Sequence, residues 1–153
     1  MANKGGVLAC LEALGLKPTM KTFSDRKKMQ KLAYLLQEVF GIDLSCNFSW
    51  YIHGPYAPDL TRMLFEITES RVSAKTEALD KVDAAKVERM RSFLGSSIHS
   101  TDKLELLGSL HYLKKLGKSQ NVNDLEIIAV LKEKKPYFKN KDIAWAWQKL
   151  GTM

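Results

Sequence analysis

Apolar side chains recur at helical spacing along most of this chain, and one stretch of the opposite period, between Phe48 and Pro58, interrupts them. That alternation of periods restricts the fold more than any other feature, because a 3.6-residue repeat and a two-residue repeat cannot bury the same face. Gly6 to Leu14 repeats Val7, Cys10, Leu11 and Leu14 before Gly15 and Pro18 stop it. The strongest pattern spans Ser24 to Phe40. Ser24 is read as its N-cap and Asp25 lies in the first turn, where a negative charge suits the helix dipole. Met29, Leu32, Ala33, Leu36, Val39 and Phe40 line one side, Lys27, Lys31 and Glu38 the other, and Gly41 ends it.

Residues 47–53 read as a strand, with Phe48, Trp50 and Ile52 alternating with Ser49, Tyr51 and His53. The chain then turns through Gly54-Pro55-Tyr56-Ala57-Pro58, and Pro58 opens a helix to about Glu69 with Leu60, Leu64 and Ile67 inward. Residues 70–80 have no clear period and read as a loop or a β-hairpin arm. Further helices are expected over Asp83–Leu94, with Val87, Met90 and Leu94 inward, and over Thr101–Leu116, closed by Gly117. Another follows Asn121 as N-cap, with Leu125, Ile128 and Leu131 inward as far as Pro136. The last runs from Asn140 through Ile143, Trp147 and Leu150. With no internal repeat or linker, the expectation is a mainly α fold. It is a single compact domain over residues 1–153, with about six to seven helices and a small β element near 47–53.

At 153 residues, 45% hydrophobic and 27% charged, the chain has ordinary globular usage and enough length for a sizeable core. No stretch approaches the ~18 uninterrupted apolar residues of a membrane span. The run after Lys4 is broken by Glu12 and lacks a small-residue cleavage site, so the location expected is cytoplasmic. Cys10 and Cys46 form no CxxC pair and read as free buried thiols. The net charge of +7 is uneven: residues 1–41 carry +4, residues 42–80 carry −3, residues 81–119 carry +4 and the rest +2. No block of five like charges appears, so a solvated surface explains the basicity as well as a phosphate-binding one.

The sequence offers no catalytic centre. His53, His99 and His111 are its only histidines, and it has no HExxH, no Cys/His cluster, no phosphate-binding glycine loop and no GxSxG elbow. No catalytic, cofactor-binding or metal-ligating residue is assigned, and no cofactor is expected. Three features could carry an interaction. Trp50, His53, Gly54, Pro55, Tyr56 and Pro58 form a stiff aromatic turn able to present anchors at low entropic cost. Arg26, Lys27, Lys28 and Lys31 make a basic helix start of the kind that contacts phosphates. Lys132 to Lys139, with Trp145 and Trp147 beyond, interleaves lysines with aromatics; the two tryptophans cannot share one helix face, so one is expected in the core and the other partly exposed.

The segment Arg26-Lys27-Lys28-Met29-Gln30-Lys31-Leu32-Ala33-Tyr34-Leu35, followed by Trp50-Tyr51-Ile52-His53-Gly54-Pro55-Tyr56-Ala57-Pro58, resembles the YwgA-like uncharacterised proteins of bacteria and archaea. It is similar, more distantly, to the Panacea (SocA-like) antitoxin domains. Leu104 to Leu113 and the passage from Lys135-Pro136-Tyr137-Phe138 into Trp145 extend the resemblance over most of residues 24–150. It implies that Met29, Lys31, Leu32 and the Trp50–Pro58 turn belong to a shared scaffold. It also implies action through protein–protein contact, and it brings no catalytic residues. The leading expectation is therefore a non-enzymatic protein-interaction module, antitoxin-like in one version. The alternative is a nucleic-acid-binding, winged-helix-like regulator with residues 70–80 as the wing, and an enzyme built around His53 comes third. A protein partner is expected, nucleic acid is the alternative, no membrane is expected, and a homodimer is left open.

Overall fold

A computed structural model describes residues 2–69 and 78–153. Among these the chain forms seven α-helices and one two-stranded sheet: α1 (Lys4–Ala13), α2 (Phe23–Tyr34), β1 (Ser49–Tyr51), β2 (Gly54–Tyr56), α3 (Pro58–Glu69), α4 (Lys81–Leu94), α5 (Thr101–Ser119), α6 (Asp124–Lys134) and α7 (Asn140–Leu150). The mainly α class and the small β element are as the periodicity predicts. The loop or hairpin arm expected at 70–80 falls mostly on residues 70–77, outside the described residues. None of the described helices is long and apolar enough to cross a membrane.

The centre of the fold is α5, packed against α2, α6, α7 and β2. Leu104 to Leu110 are buried without a break, and so are Met29 to Leu36 on and after α2. A helix buried on every side has no solvated face to receive its polar residues. Gln30, Lys31, Glu105 and Ser109 therefore lie inside among the leucines. An unpaired buried polar group costs roughly 1–3 kcal/mol, and two of their atoms, Glu105 Oε1 and Ser109 Oγ, have no hydrogen-bond partner among the described residues. Lys31 is thus not on an exposed face opposite the apolar one: it is 1% exposed.

Several boundaries differ from the sequence reading, each for a local reason. Thr22, not Ser24, caps α2. Its Oγ1 accepts the Asp25 N–H at 3.0 Å while Asp25 Oδ2 accepts the Thr22 N–H at 3.1 Å, a reciprocal pair that Ser24 cannot form. Ser24 Oγ instead meets Thr101 Oγ1 at 3.0 Å. After Tyr34 the helix widens to a π-turn over Leu35–Val39, with the Phe40 N–H donating to the Leu35 carbonyl at 3.0 Å. Gly117 does not close α5; a Cβ there would lie 3.0 Å from Ile127 Cδ1, so the missing side chain lets α6 approach. Asn123, not Asn121, caps α6, its Oδ1 accepting the Glu126 N–H at 2.9 Å. Asn121 makes the preceding turn at φ 57°. The apolar residues of α6 form two overlapping stripes. The core takes the one through Ile127 and Leu131, leaving Leu125 exposed. Trp145 and Trp147 are both half-buried astride the buried Ala146, each beneath a lysine of α5.

β1 and β2 pair antiparallel, with Trp50 opposite Pro55 and Tyr51 opposite Gly54. The segment read as a bare turn, Gly54 to Tyr56, is thus the second strand. Ile52 and His53 form the connection, and Gly54 at φ 91° absorbs the change of direction. Gln30 locks the junction with α3: its Oε1 accepts the Ala57 N–H at 2.9 Å and its Nε2 donates to the Ala57 carbonyl at 2.8 Å.

Across α2 and α5, the Tyr34 hydroxyl pairs with His111 Nδ1 at 2.8 Å. Burial, reinforced by the Lys115 charge, pushes the His111 pKa down to about 4. Between pH 6.5 and about 4 the unfolded chain therefore binds a proton that the folded chain refuses. Stability contributed by neutral His111 is complete above pH 6.5 and is lost progressively as the pH falls to about 4, by up to about 3 kcal/mol. Urea melts at stepped pH should show this acid limb in the parent and a flatter one in His111→Gln.

Candidate interaction groove and its buried ion cluster

Two lysines and a histidine from three parts of the chain converge on one carboxylate. Glu105 projects from α5 with 1% exposure. Its Oε1 lies 2.9 Å from Lys27 Nζ, and 3.7 Å from His53 Nδ1, while Oε2 lies 3.5 Å from Lys135 Nζ. The Tyr137 hydroxyl donates a short hydrogen bond to Oε2. Burial by itself would raise the Glu105 pKa. The hydrogen bond from Tyr137, the close approach of the Lys27 ammonium and the charge of Lys135 more than offset it, so the group is held below its usual range and is ionised. Tyr137 is pushed the other way by burial and by its bond to Glu105.

Lys135 and a further lysine, Lys31, hold the hairpin. Lys31 Nζ donates to the Pro55 carbonyl at 2.5 Å, and Lys135 Nζ to the Ile52 carbonyl at 2.7 Å. Lys135 also sits 5.3 Å above the Trp50 ring. Burial pushes Lys31 down to about 7; repulsion from Lys135 and Lys27 adds to this, and Glu105 opposes it. Lys135 is lowered too, first by burial, with its contact to Glu105 holding it up. The hairpin can lie this close to α5 because residue 54 is glycine: a Cβ there would fall 2.4 Å from Ser109 Oγ.

Pinning the carbonyl of Ile52 inward turns its side chain outward, to 84% exposure. Beside it lies a groove of about 360 Å³ between the start of α2, the hairpin and α3. Its floor carries Lys27, Lys31 and Gly54, and its walls carry Phe23, Arg26, Tyr51, His53, Tyr56 and Phe65. Phe23 is 54% exposed and stacks edge-on to His53 at 4.9 Å; Tyr51, 47% exposed, does the same to Tyr56 at 5.0 Å. His53 has its pKa lowered, chiefly by partial burial, with Glu105 opposing and three lysines reinforcing.

The two interaction features expected separately, the aromatic turn and the basic helix start, therefore meet in one groove. His53, Gly54 and Tyr56 line it together with Arg26, Lys27 and Lys31. Trp50 does not; it packs against Tyr112 with ring centres 5.6 Å apart. Pro55 is buried, Pro58 starts α3, and Lys28 stands outside the groove. Glu105 escaped the sequence reading because it sits in a leucine-rich helix, while Lys135 and Tyr137 were read within the lysine–aromatic stretch 132–139 and not as partners of Glu105. Phe23 and Phe65 were not singled out by any sequence pattern. Among the described residues no His, Cys, Asp and Glu side chains cluster as a metal site would require. Comparison with protein-family models, with curated proteins and with solved structures finds no match to this chain.

Proposed function

We propose that the chain is a non-enzymatic protein-interaction module. Its groove seats a segment of a partner protein that carries an apolar anchor flanked by acidic residues. The observation that supports this reading is the gathering of Phe23, Tyr51 and Ile52, all exposed, around one concave surface whose lining includes Arg26 and Lys27. Large apolar side chains clustered on a concave rim mark contact surfaces, and the adjacent cations select an acidic occupant. An antitoxin-like role, with a toxin as the partner, is the version suggested by the resemblance to Panacea domains. The phosphate-binding alternative has weaker support. Lys27 faces ionised Glu105 at 2.9 Å, which repels a dianion, and Lys28 stands outside the groove.

Panning a random peptide display library on the purified protein tests the reading. Enrichment of peptides combining an aromatic or aliphatic anchor with Asp or Glu is expected. Phe23→Asp and Ile52→Asp, at exposed positions that leave the core intact, should each weaken the best peptide at least tenfold by fluorescence anisotropy, about 1.4 kcal/mol. Peptides indifferent to both variants would overturn it. So would tight, salt-sensitive binding of an oligonucleotide that Lys28→Glu abolishes.

A further inference from the structure

The ion cluster beneath the groove is unbalanced. Lys27, Lys31 and Lys135 surround a single acid, Glu105, and among the described residues Lys31 makes no ion pair. Its ammonium has three N–H donors and, among the described residues, one acceptor, the Pro55 carbonyl. A side chain 1% exposed does not find the other acceptors in bulk water. Yet Lys31 and Lys27 both form part of the groove floor, beside His53 and the bare backbone of Gly54. Unspent donors, surplus positive charge and an open space therefore coincide at one place.

We propose that the groove floor at Lys27, Lys31 and His53 is a carboxylate seat, taking the acidic group of an apolar-bodied ligand such as an acidic side chain of the partner segment. This deepens the reading given above, but the seat can be probed without any partner. Position selects a carboxylate over a phosphate. An occupant held by Lys27 stands close to ionised Glu105 Oε1, which faces the same lysine at 2.9 Å, so a monoanion is repelled there less than a phosphate dianion. The groove volume of about 360 Å³ suits an aromatic or aliphatic body of single side-chain size next to the charged group. Tyr51, Tyr56 and Phe65 supply its apolar contacts.

The experiment is an NMR titration of the full chain with phenylacetate, 2-phenylethanol and phenyl phosphate. Phenylacetate should shift the amides of Lys27, Lys31, His53 and Gly54 at saturation. The neutral alcohol should bind at least tenfold more weakly, and phenyl phosphate no more tightly than phenylacetate. Lys31→Met, which removes a buried cation and keeps the stem volume, should stay folded by its amide spectrum and lose phenylacetate at least tenfold. Lys27→Gln should lose several-fold. Equal binding of acid and alcohol, a tighter phosphate, or an affinity unchanged in folded Lys31→Met would each overturn the seat. If display peptides bind while phenylacetate does not, the seat is wrong and the interaction module stands. If phenylacetate binds as described and no peptide is enriched, the module reading fails and the seat stands.

Discussion

Replacing Glu105 by Gln should lower the unfolding free energy by about 3–5 kcal/mol, the largest loss expected of any isosteric change in the protein. The amide keeps the volume and can still accept from Tyr137, so packing is preserved. The charge is not preserved, and Glu105 is the only acid that faces Lys27 and Lys135 at contact distance among the described residues. Lys135, 0% exposed, and Lys27, 15% exposed, would then lack a counter-charge and would repel Lys31 as well. Breaking a buried ion pair from one side leaves an uncompensated charge, and that residue of desolvation is what the measurement reads. Urea denaturation of the two proteins at pH 7 checks it. A loss below about 1 kcal/mol would mean that the cluster is wet and screened. The double variant Glu105→Gln/Lys135→Met should recover part of the loss, because an apolar stem replaces the most deeply buried of the stranded cations.

The second large effect concerns the hairpin. Gly54→Ala should cost about 2–4 kcal/mol, from two sources that can be separated. One is conformational: φ of 91° disfavours any residue with a Cβ. The other is steric, since the new methyl would stand 2.4 Å from Ser109 Oγ. Ser109→Ala removes the oxygen and leaves the nearest Ser109 atom, its Cβ, at 3.6 Å, an ordinary contact. Ser109 Oγ has no hydrogen-bond partner among the described residues. Its removal alone should therefore be neutral or slightly stabilising. The cycle Gly54→Ala, Ser109→Ala and the double variant should return a coupling of about 1–2 kcal/mol in favour of the double, measured by thermal or urea unfolding. Strict additivity would show that the hairpin shifts away from α5 without resistance.

What the sequence could and could not reveal follows from the range of the interactions. Helix periodicity is a local property, so the helical segments were legible, and Pro58 as the first residue of α3 was read from its own chemistry. Caps were less legible. Thr22 and Ser24 are both good N-caps in isolation, and the choice rests on the reciprocal bond that Asp25 makes with one of them. Burial of Lys31 was misread because two-sided amphipathicity is a rule for surface helices, and α2 is enclosed by α5 and the hairpin. The aromatic turn and the basic helix start were both visible as candidates. That they share a groove depends on contacts such as Lys135 to Ile52, 83 residues apart, which no local pattern encodes.

The two ammonium–carbonyl contacts under the hairpin also order events in time. Lys31 precedes Pro55 in the chain, so that anchor is available as soon as the strands emerge from a ribosome. Lys135 follows Ile52 by 83 residues. At about 5–20 residues per second it arrives roughly 4–17 s later. During that interval the tip of the hairpin has a strand partner but no clasp on the Ile52 carbonyl, and the rim of the groove is unfinished. A partner that recognises the finished rim would thus discriminate between a nascent chain and a completed one, and binding would report that the last third of the protein has reached its place.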